Sequence, residues 1–152
     1  MTRKDVVLMF VLKKMIFADM RKWKIDFWSK ILLIIEEERL FLSEIPDYFL
    51  FENMRLEYPN FCRNFKIKEN GEVCHLDIPR EKFCCLFCAC PFFTLDDKRT
   101  RMSCGSNKEA GYREGNIWDC SGCSYVHDVG WVRENLSFVE EMMKSKEGEK
   151  ND

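Results

Sequence analysis

Nowhere in this chain do the roughly twenty apolar residues needed for a membrane-spanning helix run together. Val6–Leu12 and Ile31–Ile35 are the most apolar stretches, and both fall well short of that length. Charge excess of one sign is missing too: 24 Lys and Arg stand against 26 Asp and Glu, a net charge of −2. Proteins that grip duplex nucleic acid neutralise phosphates with a basic surplus, so the overall balance asks for no such partner. Neither a Gly-x-x-x-x-Gly-Lys-[Ser/Thr] loop nor a Gly-x-Gly-x-x-Gly turn occurs, which leaves a nucleotide-using enzyme without motif support. A secretory leader is not expected. Thr2–Lys4 could imitate its basic start, but Asp5 interrupts, Lys13 and Lys14 end the apolar stretch, and no small-x-small cleavage site follows. Cysteine itself is absent from the first 61 residues, after which all nine fall between Cys62 and Cys123.

What remains is enough for a folded core: 46% of residues are hydrophobic, with 13 Phe and 4 Trp among 152. Three zones follow from the pattern, divided at 1–58, 59–131 and 132–152. The first reads as a helical extension, because Trp23, Phe27, Ile31, Ile34 and Ile35 recur at steps of three and four and line one helix face. Glu36–Glu38 form a solvated interval after it, and Pro46 blocks continuation. Val6–Phe17 is too uniformly apolar for periodicity to decide between helix and buried strand; helix is the expectation. In the second zone, Asn70–Gly71 and the prolines at 59, 79 and 91 mark turns between short segments. No run there is long enough to bury an ordinary core, the situation in which bound metal supplies folding energy. The third zone predicts one amphipathic helix over Val132–Met143, with Leu136, Val139 and Met143 on a common side, and a frayed charged tail from Lys144. The expected fold is a small, metal-stabilised, loop-rich α+β cysteine-rich domain carrying an N-terminal helical extension.

Cysteine at this density means either a disulfide framework or metal thiolates. Absence of a leader, an odd count and the spacing favour thiolates in a reducing, cytoplasmic setting. Two clusters dominate: Cys84-Cys85-Leu86-Phe87-Cys88-Ala89-Cys90-Pro91, and Cys120-Ser121-Gly122-Cys123 with His127 four residues on. A Cys-x-x-Cys turn aims two thiolates at one ion, and zinc takes four such ligands at tetrahedral angles. One such turn could be a redox dithiol. Two, together with Cys74-His75, Cys104 and His127, point to metal. If the first cluster is extended, side chains alternate, so that Cys85 and Cys88 grip one ion and Cys90 serves another. Both histidines of the chain, His75 and His127, lie inside this segment.

The residues Cys85-Leu-Phe-Cys-Ala-Cys-Pro-Phe-Phe93 resemble the central motif of the cysteine-rich small domain family, a metal-binding domain of archaea and bacteria. Cys104-Gly105, Gly115-Asn-Ile-Trp-Asp-Cys-Ser-Gly-Cys123, Tyr125-Val-His127 and, upstream, Cys74-His75 are similar to further family motifs in the same order. Departures are visible: no Pro precedes Cys74 or His127, and Cys84 stands where the family tends to have Asn. The resemblance implies a ligand set of Cys74, Cys85, Cys88, Cys90, Cys104, Cys120, Cys123 and His127, with Cys84 as the spare thiol. Cys62 and His75 are additional candidates. It also implies about two metal sites and, because some relatives are fused to a threonine-phosphate decarboxylase-like protein, an accessory role near cobamide synthesis.

Zinc fits the mixed sulfur and imidazole inventory. An iron–sulfur cluster stays open, because Cys-x-x-Cys-x-Cys-Pro has the look of a ferredoxin run. Asp119 and Asp128 flank the second cluster, so a metal-dependent enzyme is conceivable, but hydrogen bonding to ligands is the plainer role for either. Lys98, Arg99, Arg101, Lys108 and Arg113, with Tyr112 and Trp118, could form a nucleic-acid patch; a solvated loop is the simpler reading. The sequence therefore favours a zinc-binding accessory or interaction protein with a protein partner, and names no small-molecule substrate.

Overall fold

The computed structural model describes residues 21–67, 73–96, 101–104, 111–113, 117–119 and 123–149. The Val6–Phe17 stretch and the Asn70–Gly71 turn lie outside the described residues. The fold is largely helical, with few and short strands. Residues 21–37 form helix α1. Its predicted stripe is buried at Phe27, Ile31, Ile34 and Ile35, whereas Trp23 is half exposed and Trp28 takes the inward place instead. A helix rotates 100° per residue, so a fourth aromatic next to Phe27 can claim the core when the neighbouring face is also covered. The Leu40 amide donates to the Ile35 carbonyl and the Arg39 amide to that of Glu36, closing α1 with a Schellman turn. Arg39 occupies the left-handed position of that turn, at φ 53°.

Two short helices follow, α2 (Ile45–Tyr48) and α3 (Phe51–Glu57). Pro46 begins α2, where its missing amide costs nothing, so it opens a helix rather than merely stopping one. After α4 (Asn64–Ile67) and a 3-10 turn at Arg80–Lys82, the strands β1 (Phe93–Asp96) and β2 (Arg101–Cys104) pair antiparallel, with Phe93 opposite Cys104. A second antiparallel pair, β3 (Gly111–Arg113) and β4 (Ile117–Asp119), sets Tyr112 opposite Trp118. A 3-10 turn at Tyr125–His127 leads into α5 (Val129–Glu134) and α6 (Ser137–Glu149).

The C-terminal segment is thus two helices where the pattern predicts one. Asn135 ends α5, its side-chain amide donating to the Trp131 carbonyl at 2.8 Å, a local bond that competes with helix continuation. The charged residues from Lys144 to Glu149 are helical rather than frayed. Lys146 meets Glu36 of α1 at 2.8 Å, which ties the end of α6 to the first helix.

The cysteine segment is central to the core, not peripheral to it. Phe83, Cys84, Leu86 and Phe87 are fully buried, in one apolar cluster with α1 residues Trp28 and Ile31, α3 residue Met54, and Val132 and Val139 of the last helices. Sequence reasoning expected too little apolar surface here because it weighed the segment alone. Residues distant in the chain supply the other half of the core. Backbone bonds thread the segment into place. The Phe51 amide donates to the Phe83 carbonyl, that of Cys85 to Phe49, and that of Cys84 to His127, each at 2.8 Å. Phe83–Cys85 is therefore clasped from one side by residues 49–51 and from the other by residues 127–128. Among the described residues no helix is long and apolar enough to cross a membrane.

Candidate metal centre

That clasp places the candidate ligands. Because the Cys84 backbone bonds to His127, the imidazole is carried to the start of the Cys85–Cys88 knuckle. His127 Nδ1 lies 3.1 Å from the Cys84 carbonyl oxygen. A carbonyl only accepts, so Nδ1 holds the proton and Nε2 keeps its lone pair for a metal or a thiol. The ring is buried, stacked 4.7 Å from Phe83 at an interplanar angle of 9°. His75 stacks on its other neighbour side, 4.9 Å from the His127 ring.

Cys85 and Cys88 form the sulfur edge of the site. The Cys85 thiol donates to Cys88 and is itself held well above the ordinary cysteine range, first by that bond and then by burial. Cys88 is pushed the other way, well below the ordinary range, first by the bond from Cys85 and also by His127. Burial opposes charge on His127, but its hydrogen bond to Cys88 and the sulfur's charge outweigh this and raise the imidazole. The result is a thiolate–imidazolium pair with a neutral thiol beside it.

Cys62 and Cys74 reach the same place from farther up the chain. Cys62 precedes α4, and the amides of Asn64 and Phe65 point at its sulfur, while burial and the nearby Cys88 and Cys74 raise it. Asn64 Nδ2 donates to Cys74 Sγ at 3.5 Å. The structure thus groups Cys62, Cys74, His75, Cys85, Cys88 and His127. Cys90 points elsewhere, toward Lys24 of α1, as alternation after Cys88 predicts. Cys123 is half-buried four residues before His127. Cys104 ends β2, and Cys120 lies outside the described residues.

The donor chemistry fits zinc: soft sulfur, one oriented imidazole, and amides directed at sulfur. Among the described residues, no three of His, Cys, Asp or Glu are already drawn into a chelating group. Protons on Cys85 and His127 link the donors instead, and a metal would have to displace them. No disulfide joins the described cysteines.

Cys84 stands apart from its neighbour. It is fully buried, its thiol faces the Pro46 carbonyl at 3.5 Å, and burial pushes it up to about 12. A thiol so reluctant to ionise is a core side chain. Asp128, expected near the ligands, serves as the N-cap of α5, its Oδ1 accepting from the amides of Gly130 at 2.9 Å and Trp131 at 3.1 Å. Asp119 lies in β4, opposite Gly111. The carboxylate that does face the histidines is Asp77, hydrogen-bonded by the Ser124 hydroxyl and held below its ordinary range by that bond first, then by His75 and His127. No spacing rule marks Asp77; only its place two residues after His75 hints at it.

A helical fold with its cysteines gathered on one knuckle defines a cysteine-rich module. The family profile described as "Cysteine-rich small domain" matches residues 64–150, and the chain belongs to that family. The match runs through the knuckle and both C-terminal helices and begins two residues after Cys62. No curated protein and no solved structure matches significantly.

Proposed function

We propose that this chain is a zinc-binding accessory or interaction protein holding about two metal ions. The first site takes Cys74, Cys85, Cys88 and His127, with Cys62 and His75 close enough to substitute. The second takes Cys90, Cys104, Cys120 and Cys123. The observation that carries this reading is the Cys88 thiolate flanked by the Cys85 thiol and by an imidazole whose Nδ1 proton is committed to a backbone carbonyl. That arrangement stores a sulfur donor and a nitrogen donor side by side, each oriented by the backbone clasp. Loading releases the protons on Cys85 and His127, so affinity falls as pH falls.

An imidazole in the first set favours zinc over an iron–sulfur cluster, which prefers thiolates throughout. The commitment of Asp128 to helix capping removes one candidate base, so a binding role is favoured over catalysis. Placement beside cobamide synthesis rests on the family resemblance alone, and co-purification with a threonine-phosphate decarboxylase-like protein is its test. Elemental analysis of anaerobically purified protein, read beside its visible absorption, tests the metal reading. About two equivalents of zinc in colourless protein are expected. Less than about half an equivalent of zinc plus iron would refute the proposal, and brown protein loaded with iron would replace zinc by a cluster.

A further inference from the structure

Helices α1 and α6 leave a cleft between them on the side of the molecule away from the histidine pair. Its volume is about 620 Å³, inside the range of small-molecule sites. Ile25, Trp28, Leu32 and Met142 supply an apolar wall. Arg21, Lys24 and Lys146 stand in the same lining, and no carboxylate does. Lys146 also pairs with Glu36 at 2.8 Å, which fixes its ammonium at the junction with a second, smaller cavity of about 220 Å³. The two cavities share Leu32 and Lys146, so the apolar path continues toward Leu40 and Met143.

The second observation is a donor without an acceptor. Trp28 is only 6% exposed, yet its indole Nε1 has no hydrogen-bond partner among the described residues. Buried polar groups are paired in the great majority of cases, and an unpaired one is costly and calls for an explanation. A neutral apolar filler of the cleft would leave the donor unpaired. A cation would be repelled by the three basic side chains. A ligand oxygen bearing negative charge meets both demands.

We propose that the α1–α6 cleft binds a small amphipathic carboxylate, its head group accepting from Trp28 Nε1 among Arg21, Lys24 and Lys146, and its apolar body lying along Leu32 toward Met143. This site is independent of the metal reading. The test uses the full chain as purified and isothermal titration calorimetry with dodecanoate below its micelle concentration, against dodecyltrimethylammonium. Dodecanoate should bind with a stoichiometry of about one, at least tenfold more tightly than the cation. Trp28→Phe keeps the ring and removes the donor, and should weaken dodecanoate about tenfold. Ser145→Trp fills the cleft from its rim and should abolish binding, which keeps the test decisive if the Trp28 variant fails to fold. Equal affinity for the two chain ions, binding untouched by Ser145→Trp, or no binding by the folded wild-type protein would overturn the assignment.

Discussion

Cys84 and Cys85 are adjacent in sequence and opposite in chemistry, and the difference comes from the direction of a single backbone step. Cys84 turns into the core against the Pro46 carbonyl, and Cys85 turns toward Cys88. Cys84→Ser should therefore retain metal, since a hydroxyl can still donate to Pro46, at a cost of about 1–2 kcal/mol for burying a more polar group. Cys88→Ser removes the thiolate on which Cys85 and His127 converge, and should release one metal equivalent. Metal content and thermal melting of the two variants check this; equal metal loss in both would put Cys84 among the ligands. Sequence alone could nominate either thiol for the knuckle. Only the family motif separated them before the structure supplied the burial.

At the scale of elements, two caps carry definite consequences. Arg39 holds a left-handed backbone at the end of α1, a conformation that costs a side-chain-bearing residue roughly 1 kcal/mol relative to glycine. Arg39→Gly should raise stability by about 0.5 kcal/mol after the added chain entropy of glycine is subtracted, seen as a higher denaturant midpoint at unchanged slope. Asp128→Ala should cost about 1 kcal/mol through α5, while Asp128→Asn should cost little, because an amide oxygen still caps the amides of Gly130 and Trp131. If Asp128 acted instead on a ligand's charge, both changes would lower metal affinity alike. The α1 stripe was legible because 3.6-residue periodicity survives in Phe27, Ile31, Ile34 and Ile35. The break at Asn135 was not, since it depends on one side-chain bond to Trp131 that no apolar pattern records. Cys62 was legible as a candidate but not as a neighbour of Cys88. Its position follows from the turn into α4, and the intervening sequence says nothing about that path.

At the scale of the whole molecule, one apolar cluster joins the first helix, the cysteine knuckle and the last helix. Phe87 makes this concrete, with its ring 5.8 Å from Trp28, 5.7 Å from Trp131 and 6.2 Å from Phe138. Metal loss at the knuckle therefore should not leave α1 standing alone. Chelation is expected to lower the melting temperature in a single transition, with far-ultraviolet circular dichroism and tryptophan fluorescence coinciding. Separate transitions for the two probes would mean that α1 folds as its own unit. The apolar contacts that bind the helices together also fix the backbone clasp on Cys84, so the ligand geometry and the core rise or fall together.

The most direct test of the account is zinc-edge X-ray absorption fine structure on the protein as purified. Two zinc ions held as argued, one by three thiolates and an imidazole and one by four thiolates, give a dominant sulfur shell at about 2.3 Å with a minor nitrogen shell at about 2.0–2.1 Å. Replacing His127 should remove the nitrogen shell and leave sulfur. A spectrum of oxygen and nitrogen neighbours without sulfur would contradict the central claim.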